Sequence, residues 1–300
     1  MKVAITGATG FIGRHLVQTL KASGHEVQPI GRHDLQQDSV HLRHRLAGSD
    51  AVINLAGAPI NRRWSNAWKQ EIRDSRINTT RLLVEAMGQL GRRPGLFIST
   101  SAIGAFDDRG HYTEEDTPNA DDFLGQLSRE WEQEAAKADK LGVRTLILRF
   151  GLVLGPDGGL MKQLLPPFRL GLGGPVGNGH QAFSWIHIDD LVRAQLHLMH
   201  LPEASGVFHL CAPQPLSNRA FSRALGRVLK RPAVIPVPPL LLKLAFGEGA
   251  EVMLSGQWVT STRLPEFGFR FRYEDIDSAL EEITGGGRPV QQENSGEVNG

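Results

Sequence analysis

Apolar positions along the chain switch repeatedly between two periods. Residues 2–6 (Lys-Val-Ala-Ile-Thr) form a short β-branched run; past a glycine-bearing turn, Ile12, Leu16, Val17 and Leu20 recur at helical spacing through residues 11–22. That is a strand, a turn and a helix. Residues 26–30 predict a second strand, and the continuous apolar run at 51–55 predicts a third, of the kind seen in buried parallel sheets. Only residues 34–50 separate these two strands, so the crossover between them is expected to be compressed or irregular. A helix over 64–89, a strand over 96–100, a helix over 122–141 and a strand over 143–148 continue the alternation. Strands alternating with helices predict an α/β fold, a Rossmann-type doubly wound parallel sheet covered on both faces.

Beyond Gly151 the character changes. Residues 155–159 and 171–179 are rich in glycine, and residues 232–239 hold Pro232, Pro236, Pro238 and Pro239. Between them a strand over 207–211 and a helix over 218–229 are expected. A Leu-rich helix, a loop around Gly256 and an amphipathic helix over 273–283 close the periodic part. The glycine loop 171–179 reads as a lid that could close over a ligand. No internal repeat is present, and residues 285–300, polar and glycine-rich, read as a disordered tail.

Composition narrows the function classes. The chain has 300 residues, enough for a large α/β domain with a smaller lobe. Lys+Arg 33 against Asp+Glu 32 leaves a net charge of +1, which supplies no field for nucleic acid or an anionic membrane surface. The lone Cys211 excludes an internal disulfide and a cysteine-based metal site. No charged leader precedes the first strand, and no apolar run approaches the ~20 residues that span a bilayer. The expectation is a cytoplasmic protein with a small-molecule substrate, no nucleic-acid or membrane partner and no metal. His41 and His44 share a helical spacing but lack acidic or cysteine neighbours, and read as a surface pair.

The sharpest motif is Gly7-Ala-Thr-Gly10-Phe-Ile-Gly13, placed where the first strand meets the first helix. Glycines there permit the tight turn and the close approach of backbone to a pyrophosphate, and the helix N-terminus offers unpaired N–H groups. At the end of the second strand an acidic residue would bind a ribose 2′-hydroxyl; this chain carries Arg32, whose guanidinium pairs with a 2′-phosphate, so NADP is favoured over NAD.

Gly7 to Gly13, Asn54-Leu-Ala-Gly57, Asn78 in Arg-Ile-Asn-Thr-Thr, Ser99-Thr-Ser101, Leu148-Arg-Phe-Gly-Leu-Val-Leu-Gly-Pro156 and Trp185-Ile-His-Ile-Asp-Asp190 resemble, in order, the extended short-chain dehydrogenases/reductases that include sugar-nucleotide epimerases. The match covers residues 1–230. Leu254-Ser-Gly-Gln-Trp258 and the segment 264–272 resemble the C-terminal extension of an atypical branch labelled epimerase family protein. The resemblance implies an NADP-binding domain over 1–230 with interleaved substrate-side segments at 155–205, and a substrate-side lobe over 231–284. It places Thr9, Gly10, Phe11 and Ile12 on the pyrophosphate and Leu55, Ala56 and Gly57 beside the adenine-side ribose. Asn78 would brace the sheet near the cofactor, Thr100 would line its site, and Phe150 and Val153 would flank the nicotinamide. Ser101 would orient a substrate hydroxyl or carbonyl. Two long helices in relatives of this kind form a dimer interface, so the chain is expected to be a monomer or a homodimer.

Active members of that superfamily use a tyrosine acid/base with a lysine four residues on. Aligned through Glu132, those positions hold Leu124 and Ser128, and shifting the register by one gives Gly125 and Arg129. Tyr112 on the loop after Ser101, or Asp107 and Asp108 beside it, are the substitutes the sequence offers as proton donor. Arg149, Trp64 and Trp68 are further candidates for the site, Arg149 as a receptor for a substrate anion. His187 reads as structural, and Asp189 and Asp190 as helix caps. The expected function is NADP-dependent oxidoreduction or epimerisation of a small polar or sugar-nucleotide-like substrate. The alternative is a catalytically weak NADP-binding regulator or sensor acting through a partner, which the same branch connects with cell division.

Overall fold

Six parallel strands form the central sheet, in the spatial order Gly206–Leu210, Arg144–Phe150, Leu96–Ala102, Ala51–Asn54, Lys2–Thr6 and Glu26–Ile30. The computed structural model describes residues 1–285, so the tail expected from 285 onward lies, past Gly285, outside the described residues. Strand order reverses between Lys2–Thr6 and Ala51–Asn54, which opens a crevice at their carboxyl ends, the place where ligands bind in sheets of this kind.

Both sheet faces are covered. Val3, Ile5, Ile53, Ile98 and Leu148 pack against Leu16 and Leu20 of helix Phe11–Ala22 and against Leu191 and Leu198 of helix Ile188–His200. The other face packs Ala4, Val52, Phe97 and Ile147 against Leu42 and Leu46, and against Leu83 and Met87 of helix Asn66–Gly88. Leu42 and Leu46 belong to the short crossover. It holds two small helices, Arg32–Leu35 and Ser39–Leu46, the second capped by Asp38, whose carboxylate accepts the His41 N–H at 2.9 Å. His41 is bonded to Asp34 at 3.0 Å, and the described residues contain no cluster able to hold a metal.

Two strands run further than their apolar residues predict. Leu96–Ala102 and Arg144–Phe150 extend through the pairs Ser101–Arg149 and Ala102–Phe150, because the ladder continues wherever both partners stay extended. The helix expected over 122–141 stops at Ala136 and is followed by a single turn, Asp139–Leu141, that ends on Gly142 at φ 76°.

A second core joins segments distant in sequence. Leu154, Met161, Leu165 and Phe168 meet Phe183, Trp185, Phe221 and Leu225, and Leu280 and Ile283 of the closing helix Ile276–Thr284 complete it. Docking of this last segment corrects the capping expected at 187–190. His187 caps helix Ile188–His200 by accepting the Asp189 N–H at 3.2 Å, and its Nε2 lies 2.9 Å from Glu282. Asp190 is fully buried and accepts the backbone N–H groups of Arg272 at 2.9 Å and Tyr273 at 2.8 Å, while Asp189 pairs with Arg272. These carboxylates hold the C-terminal segment instead of capping.

The glycine loop 171–179 is tied down by a small ladder: Ile235 N–H donates to Gly173, Val237 N–H to Pro175 and Gly177 N–H to Val237. No helix among the described residues is long and apolar enough to cross a membrane.

Candidate active site

The crevice floor is built from glycines that cannot be replaced in place. Gly7 sits at φ +69°, and a Cβ on it would stand 2.6 Å from the Leu55 carbonyl oxygen; one on Gly13 would stand 2.1 Å from the Gly7 carbonyl oxygen. Both contacts are with backbone, so neither can relax by rotating a side chain. The chain therefore turns tightly enough for Gly10 to begin helix Phe11–Ala22 with no side-chain cap. The first-turn N–H groups of that helix, from Phe11 to Gly13, are left for a ligand, at the positive end of the helix dipole. The Phe11 ring itself turns outward under Gly155, Gly158 and Gly159, where any side chain would strike it.

A buried relay of hydroxyls and amides fixes the neighbouring strand end. Thr6 Oγ1 donates to Asn54 Oδ1 at 2.7 Å and accepts the N–H groups of Leu55 and Ala56, both at 3.1 Å. Asn54 Nδ2 donates to Thr80 Oγ1 at 2.9 Å, which also accepts the Trp131 indole N–H at 2.8 Å, and Thr100 Oγ1 donates to the Asn54 carbonyl at 2.8 Å. The segment Leu55 to Gly57 is thereby held beside Gly7. Asn78 takes no part in this. It lies on another face of helix Asn66–Gly88, bonded to Asp74 at 2.8 Å, so the brace under the sheet is Thr80. Arg32 stands exposed as the first residue of its short helix, with no side-chain hydrogen bond or ion pair among the described residues. Its guanidinium is available at the end of strand Glu26–Ile30.

Beyond this floor lies a cleft of about 500 Å³. Ile12, Ala102, Phe150 and Val153 line its sheet side, Trp64, Phe123 and Leu124 one wall, and Glu248, Glu251 and Gln257 of the C-terminal segment the roof. Phe150 and Val153, expected beside the nicotinamide, and Ile12, expected on the pyrophosphate, line the same cleft. The roof is suspended from the wall: Arg63 Nη1 donates to the Leu244 carbonyl at 2.5 Å and Trp64 N–H to the Phe246 carbonyl at 3.2 Å. Leu124, one of the two positions that align with the tyrosine, faces the cleft.

Ser101 does not. Side chains alternate along a strand, and the alternation sends Ala102 into the cleft and Ser101 to the opposite side. There Ser101 is 1% exposed and donates to Glu132 at 2.6 Å. Glu132 is clamped by Arg149 through two bonds of 2.8 Å, a bidentate pair that leaves Arg149 no charge to offer a substrate. Arg149 Nη1 lies 3.3 Å from His209 Nε2, and Glu114, beside His209, accepts the Thr262 N–H at 3.0 Å. Burial lowers the His209 pKa, with the Glu114 charge opposing. Burial opposes the Glu114 charge, yet His209 and the backbone N–H groups of Thr262 and His209 hold its carboxyl below the usual range. The row from Ser101 to Thr262 ties the sheet to the C-terminal segment.

Tyr112 does not line the cleft either. It stacks on Phe106 at 4.6 Å between centroids and donates its hydroxyl to Asp107. That bond raises the tyrosine pKa and holds Asp107 down at about 2, so neither is poised to exchange a proton near neutrality. Trp64 and Trp68 donate their indole N–H groups to the carbonyls of Ile60 and Pro59, and Trp64 lines the cleft.

Sequence reasoning passed over Arg76. It lines the cleft, its Nη1 and Nη2 donate to the carbonyls of Ile72 and Ala58 at 3.1 Å each, and it has no ion-pair partner among the described residues. Its signal lay in the i, i+4 spacing to Thr80, which puts both on the helix face turned to the sheet.

Known proteins match this chain over most of its length. A model described as the NAD dependent epimerase/dehydratase family matches residues 3–211, and a domain of unknown function, DUF1731, matches residues 237–283. The chloroplastic epimerase family protein SDR39U1 homolog of Arabidopsis thaliana is 39% identical over 302 residues, 94% of this chain and 86% of the relative. Epimerase family protein SDR39U1 of Bos taurus is 38% identical over 295 residues, 94% of this chain and 99% of the relative. Among solved structures, human SDR39U1 isoform 2 with NADPH superimposes with a TM-score of 0.85 at 34% identity, covering 95% of this chain and 99% of that one.

Proposed function

The chain belongs to the NAD dependent epimerase/dehydratase family, and from that premise we propose that it binds NADP and catalyses oxidoreduction or epimerisation of a small polar substrate in the cleft under its C-terminal segment. The observation that carries the proposal is the pairing of the glycine cradle with the free guanidinium of Arg32. Gly7 and Gly13 leave room for a pyrophosphate at the helix N-terminus, and Arg32 stands where a 2′-phosphate would reach. The NADPH held by human SDR39U1 supports the same choice of cofactor. When bound, NADP supplies or accepts a hydride at its nicotinamide ring.

The residues of this chain bind, orient and exclude water. Ile12, Phe150 and Val153 give the nicotinamide end an apolar seat, and Trp64, Phe123 and Leu124 close the wall beside it. No tyrosine lines the cleft; its carboxylates are Asp122, Glu248 and Glu251. We assign the proton transfer to this group of carboxylates, which a bound substrate would further desolvate. The open cleft between sheet and roof supports an enzyme over a regulator acting through a partner, since a roof that filled the cleft would leave no room for substrate.

The test is a calorimetric titration of wild type and Arg32→Ala with NADPH and NADH. Wild type is expected to prefer NADPH, and Arg32→Ala to lose about ten- to a hundredfold in NADPH affinity with NADH unaffected, the worth of charge-assisted bonds at ~1.5–3 kcal/mol. Equal binding of both nucleotides by wild type would overturn the NADP assignment.

A further inference from the structure

We propose that Arg76 is the cleft's receptor for an oxyanion of the substrate, a carboxylate or a phosphate ester. The proposal rests on the substrate-cleft reading above and adds the chemical class of what enters. Other basic side chains near the cleft are already engaged: Arg149 by Glu132, Lys69 by Glu248 and Arg63 by the Leu244 carbonyl. Arg76 is the basic side chain that lines the cleft itself, and its partners there are neutral carbonyls.

Burial with no carboxylate beside it lowers the Arg76 pKa to about 10, which still leaves it charged at neutral pH. A desolvated charge without a counter-ion is costly and marks a site where a ligand can supply the missing anion. The fork is also held in place. Its Cζ lies 5.4 Å from the Trp131 ring centroid, and on another side a Cβ at Gly57 would come within 3.0 Å of the guanidinium, so the glycine is what lets it reach the strand end. A guanidinium has five N–H donors and two are used, leaving three for a planar, bidentate partner. Because it contacts Ala58, one residue past the segment Leu55 to Gly57, Arg76 sits on the cleft side of the dinucleotide floor, with Ile60, Trp64 and Leu124.

The experiment uses the full chain loaded with NADPH and titrates it with sodium acetate and, separately, with inorganic phosphate, read by calorimetry and by the fluorescence of its tryptophans. Wild type is expected to bind at least one anion, the two arms telling carboxylate from phosphate. Arg76→Gln is expected to weaken that binding about ten- to a hundredfold, and Arg76→Lys, which keeps the charge and loses the fork, to fall between them. NADPH affinity is expected to stay unchanged in both variants. Anion binding that is absent in wild type, or equal in wild type and both variants, overturns the proposal. So does an NADPH affinity that falls in step with the anion, since Arg76 would then belong to the cofactor's phosphates. If wild type fails to bind NADPH, the dinucleotide reading fails separately, and the same anion titrations on the unloaded chain judge Arg76. Should Arg76→Gln not fold, Arg76→Lys carries the comparison.

Discussion

Replacing Glu132 by leucine should destabilise the protein more than any substitution in the cleft, although Glu132 lies behind it. The carboxylate accepts two bonds of 2.8 Å from Arg149 and one of 2.6 Å from Ser101. Arg149 is 3% exposed, and its remaining polar neighbour is His209, which burial keeps largely neutral. Glu132→Leu would therefore leave a guanidinium in the interior with no anion. Breaking a buried pair from one side costs about 3–5 kcal/mol. At about 2–4 °C per kcal/mol for a large domain, the melting temperature should fall by roughly 6–20 °C. Urea unfolding followed by circular dichroism gives the first quantity and a thermal scan the second. Ser101→Ala should cost less, about 1.5–3 kcal/mol for one bond to a charged group, and should leave turnover of folded protein intact. The double variant Glu132→Leu/Arg149→Met should recover much of the loss, since removing both charges leaves neither unpaired. A loss under ~1 kcal/mol for Glu132→Leu, or a double variant as unstable as the single, would refute the reasoning.

Further outcomes follow from particular sites. Gly13→Ala places a methyl 2.1 Å from the Gly7 carbonyl oxygen, so calorimetry should show NADPH binding lost even where the fold survives. Burial lowers the pKa of His187 and His209 below the 6.5 of a free histidine, Glu282 and Glu114 respectively opposing; stability should be complete above about pH 6.5 and fall as acidification begins to protonate the unfolded chain. Each histidine contributes at most ~1.4 kcal/mol per pH unit, and His187→Gln should flatten the slope in urea titrations across pH. Burial pushes the Cys211 thiol well above its usual range, so a disulfide-exchange reagent should label it at the rate of global unfolding and no faster.

How much of this could be read without the fold depends on where the information sits. Helix Asn218–Leu229 and strand Lys2–Thr6 begin and end where their apolar periods do, and the glycine loop between the first strand and helix is a local matter of turn and cap. That Ile12, Phe150 and Val153 belong to the ligand side of the sheet was likewise legible, through motifs at the start of the first helix and at the end of strand Arg144–Phe150 that carry the family resemblance. Ser101 and Asn78 were not. Each is next to, or two residues from, the side chain that faces the site, and which of Ser101 or Ala102 points inward is settled by strand phase, while Asn78, Arg76 and Thr80 are sorted by helix rotation. Arg149 misled for another reason: its neutralising partner Glu132 lies on a different element, and only tertiary packing brings them together. The roof over the cleft depends on residues 248–257, far from the floor in sequence.

The attachment at Asp190 bears on how the C-terminal segment can vary among descendants of this chain. Its carboxylate grips the main-chain N–H groups at positions 272 and 273, and every amino acid except proline presents that same donor. The anchor is blind to the side chains it holds. Substitutions at 272 give up the ion pair to Asp189 but keep this main-chain grip, whereas Asp190 itself is held to a single residue type and proline at 272 would remove one of the donors.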